Sequence, residues 1–302
     1  MTVFSKWARS VFPKRRRTRF APEQLLTGKH YHEERPQLKT SDSARQIVDA
    51  TWPLTSSGVG NIAPDDGYFL LSLLEQSNAS RVLEIGVASG TSSLMILRML
   101  EEMSPGARLV SVDLQSRYFH DTSKPVGFMV REHYERPPAH WTLLTQVAAM
   151  TFAQEAALRD ENQHRRYDFV FIDAHHGHPW PTLDALCLLP FTRPGSWVAF
   201  HDVNLPLLGD YPWFGAVYVV RDWPLDVVIG AEGQIPNIGA IRLSDAGEDD
   251  AARLIANLSL PWDCGVHSQF QERILAHIGR FVPPAQVQAV MDGFERNARL
   301  PS

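Results

Sequence analysis

The hydrophobic positions between residues 81 and 201 fall into short, continuous apolar runs that alternate with longer amphipathic stretches. Short runs of this kind indicate strands covered on both faces, and we expect strands at 81–86, 107–113, 141–147, 167–173 and 195–201. The stretches between them predict helices at 91–103, 149–160 and 180–189. Such alternation is typical of an α/β fold with a doubly wound, mostly parallel sheet.

The flanking segments extend this pattern in both directions. Upstream, the sequence predicts helices near 41–50 and from Pro64 to about 76, the second with a leucine-rich face. Downstream, we expect a helix near 213–222 and strands near 226–230 and 237–243. We therefore divide the chain into an N-terminal arm at 1–40, a main domain at 41–245 and a helical extension at 246–302. The extension either packs on the domain or forms an interface in a homo-oligomer.

The arm carries a run of basic residues from Lys14 to Arg19. Such a run can contact an acidic partner, a membrane surface or RNA, but we interpret it as a solvated, partly disordered arm. The whole chain has a formal net charge of −5, which gives no general case for nucleic-acid binding. Two cysteines are too few for a disulfide framework, so a reducing cytoplasm is expected. No apolar stretch is long enough to span a bilayer.

The segment from Val82 to Ser92 holds the first candidate chemistry. Its apolar half predicts a buried strand, and Gly86 and Gly90 predict a tight turn that can come close to a ligand. Thr91 and Ser92 then begin a helix, whose first N–H groups attract anions. A nucleotide-like ligand normally lies at such a turn, outside the carboxyl ends of the strands.

The spacing of this turn, E-x-G-x-x-x-G from Glu84, differs from the G-x-G-x-x-G of dinucleotide sites. Glu84 is placed to meet a positively charged group. The next strand ends at Asp113, and 113 − 84 = 29 residues fit one helix and a return strand. A carboxylate at that place can accept both hydroxyls of a ribose. The combination resembles the class I S-adenosylmethionine-dependent methyltransferases.

Two further strands each end in an aspartate. Asp173 follows the run Phe169 to Ile172, and Asp202 follows the run Val198 to His201. If these strands are neighbours, they lie about 4.8 Å apart, and the two carboxylates repel each other unless a cation or a proton is present. A divalent cation with oxygen ligands would resolve the repulsion and also hold a substrate oxygen.

The motifs F-I-D-x-x-H and H-D resemble the metal-dependent O-methyltransferases, in particular the sugar and natural-product branch, over residues 60 to 245. The resemblance implies a Rossmann-like sheet whose last strands are antiparallel. It also implies roles for individual residues in holding S-adenosylmethionine and Mg²⁺ or Mn²⁺. Cofactor contacts are expected from Glu84, Gly86, Gly90, Ser92, Asp113, Val147, Ala148 and Asp173, and metal contacts from Asp173, His201 and Asp202.

Within these roles, Glu84 would lie near the methionine amino group, Ser92 would bind the methionine carboxylate and Asp113 the ribose. Val147 and Ala148 would border the adenine through backbone groups, because they carry no polar side chain.

His201 is a departure from the family pattern, since several relatives carry a carboxylate there. It is either a ligand or a residue behind the ligands, and imidazole suits ions softer than Mg²⁺.

Three histidines, His175, His176 and His178, follow Asp173 in one predicted loop. His176 is three residues past Asp173, where some relatives have their proposed base, and a neutral imidazole there can accept the proton of a substrate hydroxyl. The alternative is that all three are solvated loop residues. The long connection 114–140 is either a lid over the site or a surface elaboration.

These features favour an S-adenosylmethionine-dependent O-methyltransferase that acts with a metal on a small hydroxylated acceptor such as a sugar or secondary metabolite. A methyltransferase-like binding or scaffold protein without chemistry is the first alternative. An NAD-dependent oxidoreductase is the second, and the absence of G-x-G-x-x-G argues against it.

Overall fold

The computed structural model describes residues 37–55, 61–153, 167–204, 215–221, 223–224, 226–228, 230, 237–244 and 247–301. Most of the predicted basic arm at 1–40 lies outside the described residues. The second half of the predicted helix 149–160 and the beginning of the predicted helix 213–222 also lie outside them. Residues 149–153 are helical, as expected.

Within the described residues, seven strands form one mixed sheet and two more form a separate hairpin. The strands of the sheet are β1 (Arg81–Ile85), β2 (Arg108–Asp113), β5 (Trp141–Thr145), β6 (Tyr167–Ile172), β7 (Thr192–His201), β8 (Val227–Val228) and β9 (Ile238–Arg242). Those of the hairpin are β3 (Arg117–Tyr118) and β4 (Asp121–Pro125). The order across the sheet is β5-β2-β1-β6-β7-β9-β8. Strand β9 runs antiparallel to both β7 and β8, whereas the other pairs are parallel. The predicted doubly wound fold with antiparallel last strands is confirmed.

Helices cover both faces of this sheet. They are α1 (Asp42–Thr51), α2 (Pro64–Gln76), α3 (Thr91–Met103), α4 (Phe128–His133), α5 (Trp180–Leu188), α6 (Ala216–Arg221), α7 (Gly247–Asn257), α8 (Ser268–Ile278) and α9 (Pro284–Arg296). Successive strand residues point to opposite faces, so Phe169 and Phe171 join a core with α1–α3, whereas Val170 and Ile172 join a core with α5–α9. Two buried faces explain the continuous apolar runs.

The register of the strands brings their carboxyl ends to one edge of the sheet. Ile172 pairs with Phe200 between β6 and β7, and Ile85 pairs with Val112 between β1 and β2. The residues after these pairs therefore share one edge, which we call the carboxyl edge. It collects the glycine turn after β1, Asp113, Asp173 and Asp202. Strand β7 begins at Thr192, three residues earlier than predicted, because its pairing with β6 includes an irregularity that lets Tyr167 meet Thr192.

The long connection between β2 and β5 has its own structure. It contains the β3–β4 hairpin and helix α4. Its backbone docks on the glycine turn, since Gly127 N–H donates to the Ala88 carbonyl at 3.0 Å and Met129 N–H donates to the Ser89 carbonyl at 3.0 Å. The connection thus supports the turn from the side, whichever of the two predicted roles it has.

The helical extension packs on the main domain. Leu254, Ile274, Val290 and Phe294 belong to the same core as Ile172 of β6. This accounts for the amphipathic pattern of the tail through contacts within one chain, and an interface between copies stays a prediction. Along the part of the chain that the structure describes, no helix is both long and apolar enough to cross a membrane.

Candidate active site

The glycine turn after β1 is set by close backbone contacts. Gly86 and Gly90 have φ of +91° and +89°, in the left-handed region. A Cβ on Gly86 would lie 1.9 Å from the Asp173 carbonyl oxygen, and one on Gly90 would lie 2.8 Å from Gly127 Cα. We expected the glycines to make room for a ligand. In the structure they first make room for the backbone at Asp173 and Gly127, which locks the turn against the end of β6 and the 114–140 connection.

Asp113 holds the same turn through its carboxylate. Its Oδ2 accepts hydrogen bonds from Val87 N–H at 2.9 Å and Ala88 N–H at 3.0 Å, and its Oδ1 accepts one from Gln115 N–H at 2.7 Å. Its backbone carbonyl accepts from Val147 N–H at 3.1 Å. Asp113 therefore joins the turn after β1 to the segment after β5, and Val147 and Ala148 lie beside it at the carboxyl edge.

Glu84 lies under the turn rather than in the open. It is fully buried, and its carboxylate accepts hydrogen bonds from the hydroxyls of Ser92 at 2.5 Å, Ser93 at 2.5 Å and Ser111 at 2.6 Å. Burial raises the pKa of Glu84 to about 7, although the three hydroxyls oppose the shift. Trp141 donates its indole N–H to Ser111 at 3.0 Å. Glu84 thus fastens the beginning of α3 to β1 and β2, and the hydroxyl of Ser92 points to it.

The second constellation is a cluster of three aspartates and two histidines, which we call the acid–histidine cluster: Asp66, Asp173, His176, His201 and Asp202. His201 lies at its centre. Its Nδ1 is 3.0 Å from Asp173 Oδ1 and 3.6 Å from Asp202 Oδ1, and its Nε2 is 3.2 Å from Asp66 Oδ2. His176 Nδ1 is 3.3 Å from Asp202 Oδ2, and His176 Nε2 is 3.9 Å from Asp173 Oδ1. The predicted neighbours Asp173, His176, His201 and Asp202 do meet in space.

The members of the cluster differ in their access to solvent. The side chains of His176 and Asp173 are 24% and 17% exposed, whereas those of Asp66 and Asp202 are only 3% and 4% exposed. A molecule that approaches from solvent would therefore meet His176 and Asp173 first. Asp66, His201 and Asp202 form the layer behind them.

The charges of the cluster are strongly coupled. Burial lowers the pKa of His201, but Asp173 and Asp202 outweigh burial and raise that pKa well above its usual value. Burial raises the pKa of Asp173, yet His201 and His176 bring it below its usual value. The pKa of Asp202 is raised by burial, and the two histidines only partly offset this. The environments thus push the pKa values of the two strand-end aspartates apart, as is common at catalytic sites.

The acid–histidine cluster contains donors of the kind that a divalent cation needs. Two carboxylates at the ends of adjacent strands supply the oxygen ligands that Mg²⁺ and Mn²⁺ prefer, so the chemistry of the donors fits. Over the described ranges, however, no group of three or more His, Cys, Asp or Glu side chains is arranged so that it could hold a metal ion. Both ring nitrogens of His201 face carboxylates instead. The three predicted metal contacts are therefore close together but not set around an ion.

The other two histidines of the loop have different surroundings. His175 is exposed, and its Nδ1 accepts from Gly177 N–H at 3.2 Å. His178 is fully buried, packs edge-on against Tyr218 at 5.3 Å between ring centroids, and burial lowers its pKa to about 3. Among the three, His176 is the one whose ring contacts both strand-end aspartates.

Two members of the site were missed by the sequence analysis. Asp66 was interpreted only as part of a helix start, and Asn237 was not singled out. The side-chain amide of Asn237 donates to Asp202 Oδ1, and its backbone N–H donates to Asp66 Oδ1 at 2.5 Å. A second acid directly after Pro64-Asp65 is an ordinary sign of a helix first turn. Nothing in the local sequence therefore pointed to these partners.

A cavity of about 690 Å³ lies at the opposite edge of the sheet, where the parallel strands begin. Its lining includes Arg193 and Arg242, which pair with Asp168 at 3.6 Å and Asp226 at 3.0 Å. Ligands of open α/β sheets bind outside the carboxyl ends of the strands. We therefore place the candidate active site at the carboxyl edge and not in this cavity.

Comparison with known proteins gives the following similarities. A protein-family model described as "Methyltransferase domain" matches residues 83–203. Tricin synthase 2 of Oryza sativa subsp. japonica is 25% identical over 209 residues, which are 68% of this chain and 64% of that protein. Caffeoyl-CoA O-methyltransferase 2 of Eucalyptus globulus is 27% identical over 169 residues, which are 51% of this chain and 64% of that protein. The chain thus spans just under two thirds of the length of these curated relatives.

Among solved structures, the O-methyltransferase from Bacillus cereus in complex with SAH is 18% identical with a TM-score of 0.43, covering 74% of this chain and 100% of that one. The O-methyltransferase TomG from Streptomyces achromogenes in complex with SAM is also 18% identical, with a TM-score of 0.45 and the same coverage.

Proposed function

We propose that this chain, which a methyltransferase-domain model matches over residues 83–203, transfers a methyl group from S-adenosylmethionine to a hydroxyl group of a small acceptor. The acceptor would be a sugar or a secondary metabolite. One curated relative, caffeoyl-CoA O-methyltransferase 2, is named for methyl transfer to an oxygen, which supports this reaction. The observation that carries the proposal is the placement of a histidine–aspartate pair beside the glycine turn at the carboxyl edge.

The cofactor would lie along the glycine turn. Gly86 and Gly90 would let the backbone pass close to it, the helix start at Ser92 would face the methionine carboxylate while the Ser92 hydroxyl donates to Glu84, and Asp113 would face the ribose. Val147 and Ala148 would border the adenine, while Glu84 and Asp173 would lie on the side of the methionine amino group. The carbonyl oxygen of Asp173 already contacts the turn at Gly86. When bound, S-adenosylmethionine supplies a methyl group on a sulfonium, which needs no further activation.

His176 would act as the general base. Its side chain is the most exposed of the acid–histidine cluster, and its Nδ1 lies 3.3 Å from Asp202 Oδ2. A carboxylate on one ring nitrogen orients the imidazole and stabilises the protonated ring, which leaves the other nitrogen to accept the acceptor's proton. Burial raises the pKa of Asp202, and the nearby His176 and His201 partly offset this by stabilising the charged carboxylate.

A divalent cation, Mg²⁺ or Mn²⁺, would be held by Asp173 and Asp202, with His201 behind them, since both of its ring nitrogens face carboxylates. The support is the donor chemistry of two carboxylates on adjacent strands. When bound, such an ion lowers the pKa of a hydroxyl group. Asp173 and Asp202 would orient the acceptor, and His176 would take the proton.

We further propose a reducing, cytoplasmic setting, because neither Cys187 nor Cys264 is in a disulfide. The partner would be the small acceptor rather than a nucleic acid, and a homo-oligomer is compatible with the proposal. A binding or scaffold protein without chemistry is the main alternative, and an NAD-dependent oxidoreductase is the other.

Calorimetry and a transfer assay distinguish these functions. S-adenosylhomocysteine should bind and NAD should not, and a tritiated methyl group should pass from S-adenosylmethionine to some member of a panel of phenols, sugars and catechols. The matched control is His176→Gln, which should bind the cofactor but transfer slowly. Binding without transfer to any acceptor would favour the scaffold alternative, and binding of NAD alone would favour the oxidoreductase.

A further inference from the structure

Asp66 joins three separate parts of the chain through one buried carboxylate. It lies in the first turn of α2 and is 2% exposed. Its Oδ2 accepts from Ala63 N–H at 3.1 Å and lies 3.2 Å from His201 Nε2. Its Oδ1 accepts from Asn237 N–H at 2.5 Å. The first contact caps the helix, but the other two reach residues 135 and 171 positions away.

The contact with His201 determines which ring nitrogen faces the strand-end aspartates. Nε2 is directed to Asp66, so Nδ1 is directed to Asp173 at 3.0 Å and to Asp202 at 3.6 Å. The second side-chain torsion of histidine is broad and roughly two-fold, so the ring needs a partner to favour one orientation. Asp66 is that partner, from the side away from solvent.

The contact with Asn237 acts on Asp202. The backbone N–H of Asn237 is held by Asp66, its side-chain amide donates to Asp202 Oδ1, and its Oδ1 accepts from Asn204 N–H at 2.8 Å. Asn237 comes directly before β9, next to the end of β7. Asp66 therefore fixes two of the neighbours of Asp202, namely the His201 ring and the Asn237 amide.

We propose that Asp66 is a positioning residue: it holds His201 and Asn237 so that Asp202 and Asp173 keep the geometry required for methyl transfer. The proposal rests on the proposed function of the site. Asp66 is 2% exposed, so it lies behind the groups that an acceptor or cofactor would meet. Carboxylates that hold a histidine from behind typically contribute about 10- to 100-fold to activity or metal affinity.

The test compares Asp66→Asn with Asp65→Asn. Both aspartates lie in the first turn of α2, so both substitutions remove one charge from the same helix end and equally weaken its interaction with the helix dipole. Asp66→Asn should lower kcat about 10- to 100-fold and leave the KM for S-adenosylmethionine and the affinity for S-adenosylhomocysteine within about twofold of wild type. Asp65→Asn should leave kcat near normal. Equal kcat in the two variants would overturn the proposal.

A second measurement follows the His201 ring without relying on turnover. The ¹⁵N shifts of its ring nitrogens, assigned by comparison with His201→Asn, should change in Asp66→Asn and not in Asp65→Asn. In a double-substitution cycle, Asp66→Asn should lower kcat much less in a His201→Asn background than in wild type, because part of its effect passes through His201. Unchanged ring shifts, or fully additive losses, would overturn the proposal.

These readouts separate the proposal from the proposed function. If wild type transfers no methyl group, the proposed function fails, while the ring shifts still report whether Asp66 holds His201. If Asp66→Asn fails to fold, Asp66→Gln replaces it, because a glutamine oxygen at this helix position can still accept from Ala63 N–H and cap the helix. Thermal unfolding of each variant shows whether a loss of kcat comes from loss of structure.

Discussion

His176 Nδ1 lies 3.3 Å from Asp202 Oδ2, although the two side chains come from the ends of different strands. The register of β6 and β7 makes this contact possible, since Ile172 and Phe200 are paired and the two parallel strands end at the same edge of the sheet. The pair has the arrangement of a base and its orienting carboxylate.

The first prediction concerns His176. His176→Ala should lower kcat by about 10²- to 10⁴-fold, which is the usual contribution of a positioned base, with little change in cofactor affinity. Single-turnover methyl transfer and calorimetry with S-adenosylhomocysteine measure the two effects. His175→Ala is the matched control, since the ring of this exposed neighbour is directed to Gly177 and Trp180. Near-normal turnover of His176→Ala would instead show that water accepts the proton of the acceptor hydroxyl.

The second prediction concerns the cation. Exhaustive chelation should abolish methyl transfer while cofactor binding stays largely intact, because Asp173 and Asp202 lie beside the glycine turn rather than under it. Mn²⁺ or Mg²⁺ should restore activity in wild type and not in Asp202→Ala. Full activity after chelation, checked by metal analysis of the same sample, would reject the metal role.

The third prediction concerns Asp113. Asp113→Ala should weaken S-adenosylhomocysteine binding by roughly 1.5–3 kcal/mol, because it removes hydrogen bonds to a charged acceptor. The structure adds a second reason, since the turn loses the partner of Val87 and Ala88. Calorimetry measures the affinity. Asp121→Ala, on the exposed β3–β4 hairpin, serves as the control and should bind normally.

The fourth prediction concerns Gly90. Gly90→Ala should destabilise the protein by about 1–3 kcal/mol, because an L side chain is strained at φ +89° and its Cβ would meet Gly127 at 2.8 Å. Gly106→Ala is the matched control, since a Cβ there meets nothing within 4 Å. Urea unfolding compares the two. Equal stability of the two variants would show that the turn relaxes away from Gly127.

The fifth prediction concerns pH and Glu84. Its pKa in the folded protein, about 7, is above the ordinary 4.5, so the folded state binds the proton more tightly than the unfolded state does. This contribution is fully present below about pH 4.5 and is lost as pH rises through about 7. Wild type should therefore lose stability over this range, and Glu84→Gln should lose less. Urea unfolding at several pH values tests this, with the exposed Glu102→Gln as control.

Much of the fold could be predicted because its signals are local. Phe169 to Ile172 is apolar at every position and Val82 to Ile85 is apolar at every position except Glu84, a pattern that strands buried on both faces require. The glycine turn and the aspartates that end β2, β6 and β7 were visible for the same reason. The length of β7 was underestimated because its first residues pair through an irregularity that depends on β6.

The sequence by itself determined the α/β class, the carboxyl edge and the residues that the chain brings to it. Only the tertiary structure decided which of those residues hold one another. Asp66 and His201 are 135 residues apart, and Asn237 is 171 residues from Asp66. Asp113 and Glu84 likewise proved to hold the turn and the helix behind it. The physical reason is that hydrophobic periodicity specifies which faces are buried, whereas hydrogen-bond partners depend on how distant segments pack across the sheet.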